Sequence, residues 1–362
     1  MIPLFKVLMA NRAAEAVKQT LFSGLITEGP RVVEFEDKLS AYLRTPVLTV
    51  NSGTSALHLA AVLLDLAPGD EVISTPITCA ATNVALLRAG ATIVWADVDP
   101  RTGLLDPSDI PRRLSSRTRA IMCVDWGGVP CDFEALRTFD LPVIEDAAHA
   151  FGALRSEAFP DFTCWSFQAI KHLTCADGGG LHVGDDALRA RARKLRWFGI
   201  DRRAPGPNID KTIEEAGFKF HMNDVNATIG LANFEAATAA VDAHRRNAQW
   251  FGEELRDVAG IQLPPASEAS SWWLYTILLE EDDAQRDFIT FMAQRGVECS
   301  RVHARNDQYP AFAHSVNRGP LPGVGYFDAH QVAIPVGWWL GDLEREQIAE
   351  GVRAWSHSRS RR

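Results

Sequence analysis

A chain of 362 residues, 46% apolar and 23% charged, has the composition of an ordinary globular protein and the length for a large domain plus a smaller one. Its net charge of −9 speaks against non-specific nucleic-acid binding, which needs a basic surface, but leaves room for a local Arg/Lys cluster that holds a small anion. No apolar run approaches the roughly 20 residues that span a bilayer, and Met1-Ile2-Pro3-Leu4-Phe5-Lys6 lacks a signal-peptide layout, so a cytoplasmic protein with no membrane partner is expected. The six cysteines have no C-x-x-C spacing and the ten histidines no ligand pattern, which predicts reduced thiols and no metal site. The basic tail, residues 359–362, reads as a solvated, frayed terminus.

In chain order, short apolar runs alternate with helical patterns from about residue 45 to about residue 185, the texture of a mostly parallel α/β sheet. Strands are predicted over 46–50, 71–74, 92–97, 120–124 and 142–144, with a further strand at 180–183 returning along the sheet. Helices are predicted over 54–66, ended by Pro68-Gly69-Asp70, over 81–88, stopped at Gly90, and over 187–197. Residues 200–215 are polar and read as a loop; 223–246 reads as one long helix or a pair that leads out of the large domain. Beyond it come a strand over 272–279, a helix over 283–295 and a terminal helix over 343–356, which places a boundary near 245 between domains of residues 1–245 and 246–362.

Three segments carry chemistry. Asn51-Ser52-Gly53-Thr54-Ser55 joins a strand to a helix; Gly53 lets backbone approach a ligand and the free N–H groups of the helix start favour a phosphate, the plainer alternative being an N-cap by Thr54 or Ser55. Leu141-Pro142-Val143-Ile144 ends in Glu145-Asp146-Ala147-Ala148-His149, so Asp146 belongs at the carboxyl end of a strand, where α/β proteins bind ligands, and Glu145 points to the opposite side. Lys171 follows in Ser166-Phe167-Gln168-Ala169-Ile170-Lys171-His172-Leu173-Thr174, which runs into Asp177-Gly178-Gly179-Gly180. Its apolar flanks predict burial and a lowered pKa. A strand-end acid and a lone lysine in a glycine-punctuated loop are the parts of a pyridoxal 5'-phosphate (PLP) site: lysine for a Schiff base, aspartate for the pyridine nitrogen, with Ser166 and His149 as possible neighbours.

With these pieces in this order, the chain resembles the DegT/DnrJ/EryC1/StrS group of PLP-dependent sugar aminotransferases, of the fold-type I (aspartate aminotransferase) class. The resemblance extends to residues 23–30, to Pro68-Gly69-Asp70-Glu71-Val72-Ile73 and to Gly217-Phe218-Lys219-Phe220-His221-Met222-Asn223-Asp224. It implies an α/β fold in which a large PLP-binding domain, a mixed and mostly parallel sheet between helices with an N-terminal arm, precedes a smaller α+β domain. It implies that Lys171 carries the cofactor and then shuttles a proton, that Asp146 pairs with the pyridine nitrogen, and that His149 contacts the ring's 3-hydroxyl side. Gly53, Thr54, Ser55 and Ser166 would hold the phosphate, joined by the partner's segment matching residues 217–222, His221 included, in a homodimer with a shared site. Lysine rather than histidine at 171 favours amine transfer over sugar dehydration.

Three substitutions against the family pattern bear on this: Cys79 stands where relatives stack an aromatic ring on the cofactor, and Lys219 and His221 stand where many carry Asn and Arg. Residues 152–165 also look shorter than usual. The implied reaction is ping-pong: an amino acid, glutamate in most relatives, gives its amine to the cofactor, and a keto sugar, nucleotide-linked and of the 4-keto or 3-keto deoxy type, takes it. Two other readings are a cyclitol ketone or other secondary-metabolite precursor as acceptor, and a non-catalytic regulator on the same scaffold. Arg301, His303, Arg305, Asn306 and Asp307 form a polar group that either faces the substrate or is an exposed loop; Arg202 and Arg203 are further candidates for anion contact.

Overall fold

The computed structural model describes residues 1–155, 159–202, 204–207 and 211–359. Two helices, α1 (Ala13–Phe22) and α2 (Pro30–Leu43), precede a region in which strands and helices alternate: β1 (Leu48–Val50), α3 (Gly53–Val62), β2 (Glu71–Ser74), α4 (Ala80–Arg88), β3 (Thr92–Trp95), α5 (Ile110–Arg113), β4 (Thr118–Val124), α6 (Phe133–Arg137), β5 (Val143–Asp146), β6 (Phe162–Ser166), β7 (Gly179–Val183) and α7 (Asp186–Leu195). The remainder comprises α8 (Asp224–Glu254), β8 (Ile261–Gln262), β9 (Tyr275–Leu279), α9 (Ala284–Ala293), β10 (Val316–Asn317), α10 (Pro322–His330), β11 (Gln331–Ile334) and α11 (Asp342–Arg359).

Among the described residues, eight strands form one sheet in the order β1-β7-β6-β5-β4-β2-β3-β10. Every pairing is parallel except those of β7, which runs antiparallel to β1 and β6. This is the mixed, mostly parallel sheet expected. The strands read as continuous apolar runs because both faces are covered. Alternate side chains divide between two cores: Val72, Ile93, Met122 and Ile144 pack on the α3–α4 side, and their neighbours Ile73, Val94, Ile121 and Val143 on the side of α5 and α6. On that second side, α2 and the first half of α8 cover the β1 end of the sheet through Phe35, Leu39, Phe234 and Val241.

A second, antiparallel sheet of order β11-β9-β8 packs with α9, α11 and the last turns of α8. The 31-residue α8, capped by Asn223 through its bond from the Asn226 N–H, is a single helix rather than a pair. It contributes to both cores, Val241 to one and Ala248 and Phe251 to the other. Residue 245 falls within it. The chain also returns after α9 to lay β10 alongside β3.

Several local expectations need correction. The helix predicted over 54–66 stops at Val62, and Asp65 takes a left-handed conformation (φ 50°) in the turn that follows. The strand predicted over 272–279 begins only at Tyr275, because Trp272 is also left-handed (φ 51°) and Leu274 N–H donates to Gly127 O instead of to a strand. α1, α2, α5, α6, β6, β8, β10, α10 and β11 are additional. Two of these strands are two residues long, too short to show a period.

Candidate active site

Sheet register gathers the predicted segments at one edge. Val50 and Ser166 both pair with Gly179, and Asp146 pairs with Cys164 one strand over. Since β1, β5 and β6 run the same way, their carboxyl ends open together, and the turn into α3 lies against them. Gly53 is required there by space: a Cβ on it would come 2.8 Å from Ser166 Cβ. Gly179 is equally tight, since a Cβ on it would lie 2.7 Å from Gly53 N. Ser52 is the N-cap, accepting from Ser55 N–H at 3.1 Å. The cap is therefore neither Thr54 nor Ser55. The Ser55 hydroxyl donates to Asn51 Oδ1 at 2.6 Å, while Thr54 is exposed.

Lys171 sits on a loop between β6 and β7 held from two directions. Within it, Phe167 N–H donates to Gly178 O at 2.8 Å and Cys175 N–H to Phe167 O at 2.9 Å. From outside, α8 grips its carbonyls: Asn226 Nδ2 donates to Cys175 O at 2.9 Å and Asn233 Nδ2 to Thr174 O at 2.9 Å. Phe167 and Leu173 are fully buried anchors, so the lysine between them has a fixed origin. Burial brings its amine down to about 8 from the ordinary 10.5, against the opposing pull of Asp146 and Cys79.

Asp146 ends β5 nearly buried. Its Oδ2 accepts from the Thr82 hydroxyl at 2.6 Å and its Oδ1 from Ala148 N–H at 3.1 Å, and Thr82 is in turn bonded to Thr78. Burial raises its pKa, while the Thr82 and Ala148 bonds and the Lys171 charge hold it down. Glu145, one residue earlier, points to the other face, where Arg155 and the Thr163 hydroxyl bind it. His149 is neutral: burial first, then the charge of Lys171, pushes it well below its usual range. Its Nδ1 accepts from Gly127 N–H at 3.3 Å, which leaves the ring proton on Nε2. The Cys79 thiol is exposed at the start of α4 and lies near Lys171.

Other candidates lie elsewhere. His221 packs 3.6 Å from the Trp197 ring and lines a separate cavity of about 550 Å³ with Ile26, Thr27, Asn51 and Lys219. Its Nδ1 is buried and has no hydrogen-bond partner among the described residues, and burial brings its pKa to about 4. Arg202 lies over Trp197 and donates to Glu28 O at 3.2 Å; Arg203 lies outside the described residues, as do 156–158 of the segment 152–165. In the polar group of the second half, Arg301 pairs with Asp328 and Arg305 with Asp307, so each guanidinium already has a carboxylate partner. Asn306 is a clamp, bonding Asn83 and Thr78 O. His303 alone of the five joins the lysine's surroundings, its ring parallel to that of His149 at 5.9 Å.

Residue-by-residue reading did not single out Thr82, Trp126 or Trp273. Thr82 had a usable signal, a hydroxyl four residues after Thr78 where a helix starts beyond a strand end. The tryptophans come close only through tertiary folding: Trp273 Nε1–H donates to Ile170 O at 3.1 Å, and Trp126 meets His149 edge-on at 6.0 Å.

The residues fit PLP. A buried amine lies near a buried carboxylate that keeps accepting capacity, and a glycine-tight helix start lies beside Ser166 where a phosphate would rest.

Known structures share this fold. AtS13 of Actinomadura melliaura superposes with a TM-score of 0.92 at 40% identity, covering 98% of each chain. The sugar aminotransferase CalS13 of Micromonospora echinospora has a TM-score of 0.91 at 34% identity, over 98% of this chain and 100% of its own. The aminotransferase TlmJ of Streptoalloteichus hindustanus gives 0.91 at 28% identity over 99% and 100%. The model of the DegT/DnrJ/EryC1/StrS aminotransferase family matches residues 8–353. The chain thus belongs to the DegT/DnrJ/EryC1/StrS aminotransferase family and is a PLP-dependent transaminase.

Proposed function

We propose that the protein moves an amino group from an amino acid, L-glutamate, to a keto sugar, a nucleotide-linked 4-keto or 3-keto deoxysugar, in two half-reactions at Lys171 and Asp146. The observation that carries this reading is the buried lysine held opposite a strand-end carboxylate, with the amine brought to about 8. Bound PLP supplies the electron sink that lets a carbon–hydrogen bond beside the nitrogen break.

The chain's own residues then have separable tasks. Asp146, whose ionised form the Thr82 and Ala148 bonds favour, pairs with the pyridine nitrogen. Lys171 holds the cofactor and, once its Nζ is free, carries a proton between substrate and cofactor. An amine near 8 can both take and give a proton near neutral pH. The first turn of α3, from Gly53 through Thr54 and Ser55, receives the phosphate with Ser166. His149, neutral with its proton on Nε2, offers a donor to the ring's 3-hydroxyl side, and Cys79 borders the ring.

A homodimer completes the proposal. His221 lines a cavity that Asn51 and Ile26 share, next to the phosphate turn, and Ile26 belongs to a run of exposed apolar side chains with Leu21, Phe22 and Leu25. Such a patch is the expected character of a surface covered by a second copy.

The test is spectroscopic. Purified holoenzyme should lose its visible absorbance on addition of L-glutamate, release 2-oxoglutarate, and recover the band on addition of a nucleoside-diphosphate keto sugar. Absence of bleaching with any amino acid would overturn the donor assignment. Recovery with cyclitol ketones alone would overturn the acceptor.

A further inference from the structure

The segment from Ser271 to Leu274 enters the site from the second half of the chain. Ser271 N–H donates to Gly128 O at 3.0 Å, its hydroxyl to His149 O at 2.9 Å, and Leu274 N–H to Gly127 O at 3.2 Å. Between them, Trp272 has a φ of 51°, a conformation that a bulky residue adopts only when its surroundings enforce it, and such outliers gather at functional sites. The two adjacent indoles have separate destinations. Trp272 donates from Nε1 to Ser267 O at 3.2 Å and tilts against Tyr275. Trp273 turns to the lysine.

There the indole is held on several sides. Its Nε1–H donates to Ile170 O, Phe5 from the N-terminal segment stacks on it at 4.9 Å and 22°, and His149 stacks on it at 4.0 Å and 25°. Lys171 Nζ lies 3.5 Å from the ring centroid. Trp273 is 5% exposed, so this contact is shielded from the water that weakens such attractions.

We propose that Trp273 is a positioning residue for Lys171: its indole face receives the lysine Nζ whenever the amine is free, favouring the protonated amine and fixing its place. The proposal rests on Lys171 being the lysine that holds the cofactor. The other groups acting on Nζ come from different elements. Asp146 from β5 and Cys79 from the start of α4 favour the charged amine. His149, His172 and His303 are all neutral near pH 7, since burial pulls the first two well below their usual range and the third to about 4. An aromatic face thus adds to the attraction that Asp146 provides, without adding a second anion beside the pyridine nitrogen. It also links the amine to the second half of the chain and, through Phe5, to the N-terminal segment.

The experiment measures the titration of Lys171 in cofactor-free protein by competitive amine labelling and peptide mapping, in wild type, Trp273→Phe and Trp273→Leu. Loss of the indole face should lower the Lys171 midpoint in Trp273→Leu by about one pH unit, the size expected for a shielded cation–π contact. Trp273→Phe, with a smaller π face, should fall between. A role in packing alone predicts the reverse: a shrunken side chain admits water, relieves the burial penalty and raises the midpoint. A rise, or no change in either variant, overturns the proposal. If Trp273→Leu does not fold, Trp273→Phe against wild type decides. Borohydride reduction of wild-type holoenzyme with peptide mapping tests the underlying assignment separately, because cofactor fixed at another lysine would overturn that assignment whatever the midpoints show.

Discussion

Two carboxylates sit side by side on β5 and face opposite sides of the sheet, and their surroundings differ in kind. Glu145 lies in a closed arrangement. Arg155 bridges it to Asp125, at 3.2 Å on the Asp125 side, and the Thr163 hydroxyl donates to its second oxygen at 2.7 Å. Burial and the nearby Glu145 charge push the Asp125 carboxyl well up, as expected when two acids share one guanidinium. Asp146 has two neutral donors and no ion-pair partner among the described residues, and its charge is met by Lys171 through space. One acid has spent its capacity on the fold. The other retains acceptor positions and an adjacent amine, and a strand's period of two separates these roles by a single residue.

The largest expected effect is on the open side. Lys171→Ala should lower amine transfer by roughly 10⁴-fold, the upper range for a positioned proton carrier, and should abolish the cofactor's covalent attachment. The single-turnover rate of 2-oxoglutarate formation checks this, and a rate within tenfold of wild type would remove Lys171 from its assigned task. Asp146→Asn keeps the shape of the side chain and its bond from Thr82 but removes the charge. A loss of on the order of 10²–10³-fold is expected, comparable to deleting one preorganised electrostatic partner.

On the closed side the same change should behave differently. Glu145→Gln leaves Arg155, with 8% side-chain exposure, short of a charge partner. Breaking a buried pair costs about 3–5 kcal/mol, and the residual contact to Asp125 places this one near the lower figure. Urea unfolding should register that loss while the cofactor spectrum and the glutamate half-reaction stay close to wild type. If Glu145→Gln instead lost the spectrum at unchanged stability, the division of labour between the two faces would be wrong.

Much of this arrangement was legible because it depends on local pattern. The run Leu141-Pro142-Val143-Ile144 placed Asp146 at a strand end and Glu145 on the far side, and the glycines after Lys171 marked a loop. The lysine's loop also has to be anchored, and apolar Phe167 and Leu173 signalled that. The arrival of Trp273 was hidden: its sequence neighbourhood, Trp272-Trp273-Leu274-Tyr275, has the composition of a strand, and only the left-handed Trp272 turns it aside. The clamp from Asn306 to Asn83 and Thr78 spans more than two hundred residues of sequence and leaves no local trace. Short strands such as β10 gain their geometry from the edge they join.

The comparison extends to pH, where the effects are smallest. The open side is lined by buried histidines, and burial brings His303 and the nearby His244 to about 4 from the ordinary 6.5. Between those values the unfolded chain binds protons that the folded chain refuses, so folding stability should fall as pH drops from 6.5 towards 4. Asp125 acts in the opposite direction, because its raised pKa means the folded state takes a proton more readily than the unfolded one. Each fully depressed histidine contributes a slope of about 1.4 kcal/mol per pH unit across its window. In cofactor-free protein, His303→Phe removes one such group while keeping an aromatic ring beside Trp126. Urea midpoints measured at pH 6.5, 5.5 and 4.5 should therefore decline less steeply in this variant than in wild type. An unchanged slope would mean that His303 protonates as readily in the folded chain as in the unfolded one, and that the site side is wetter than its burial implies.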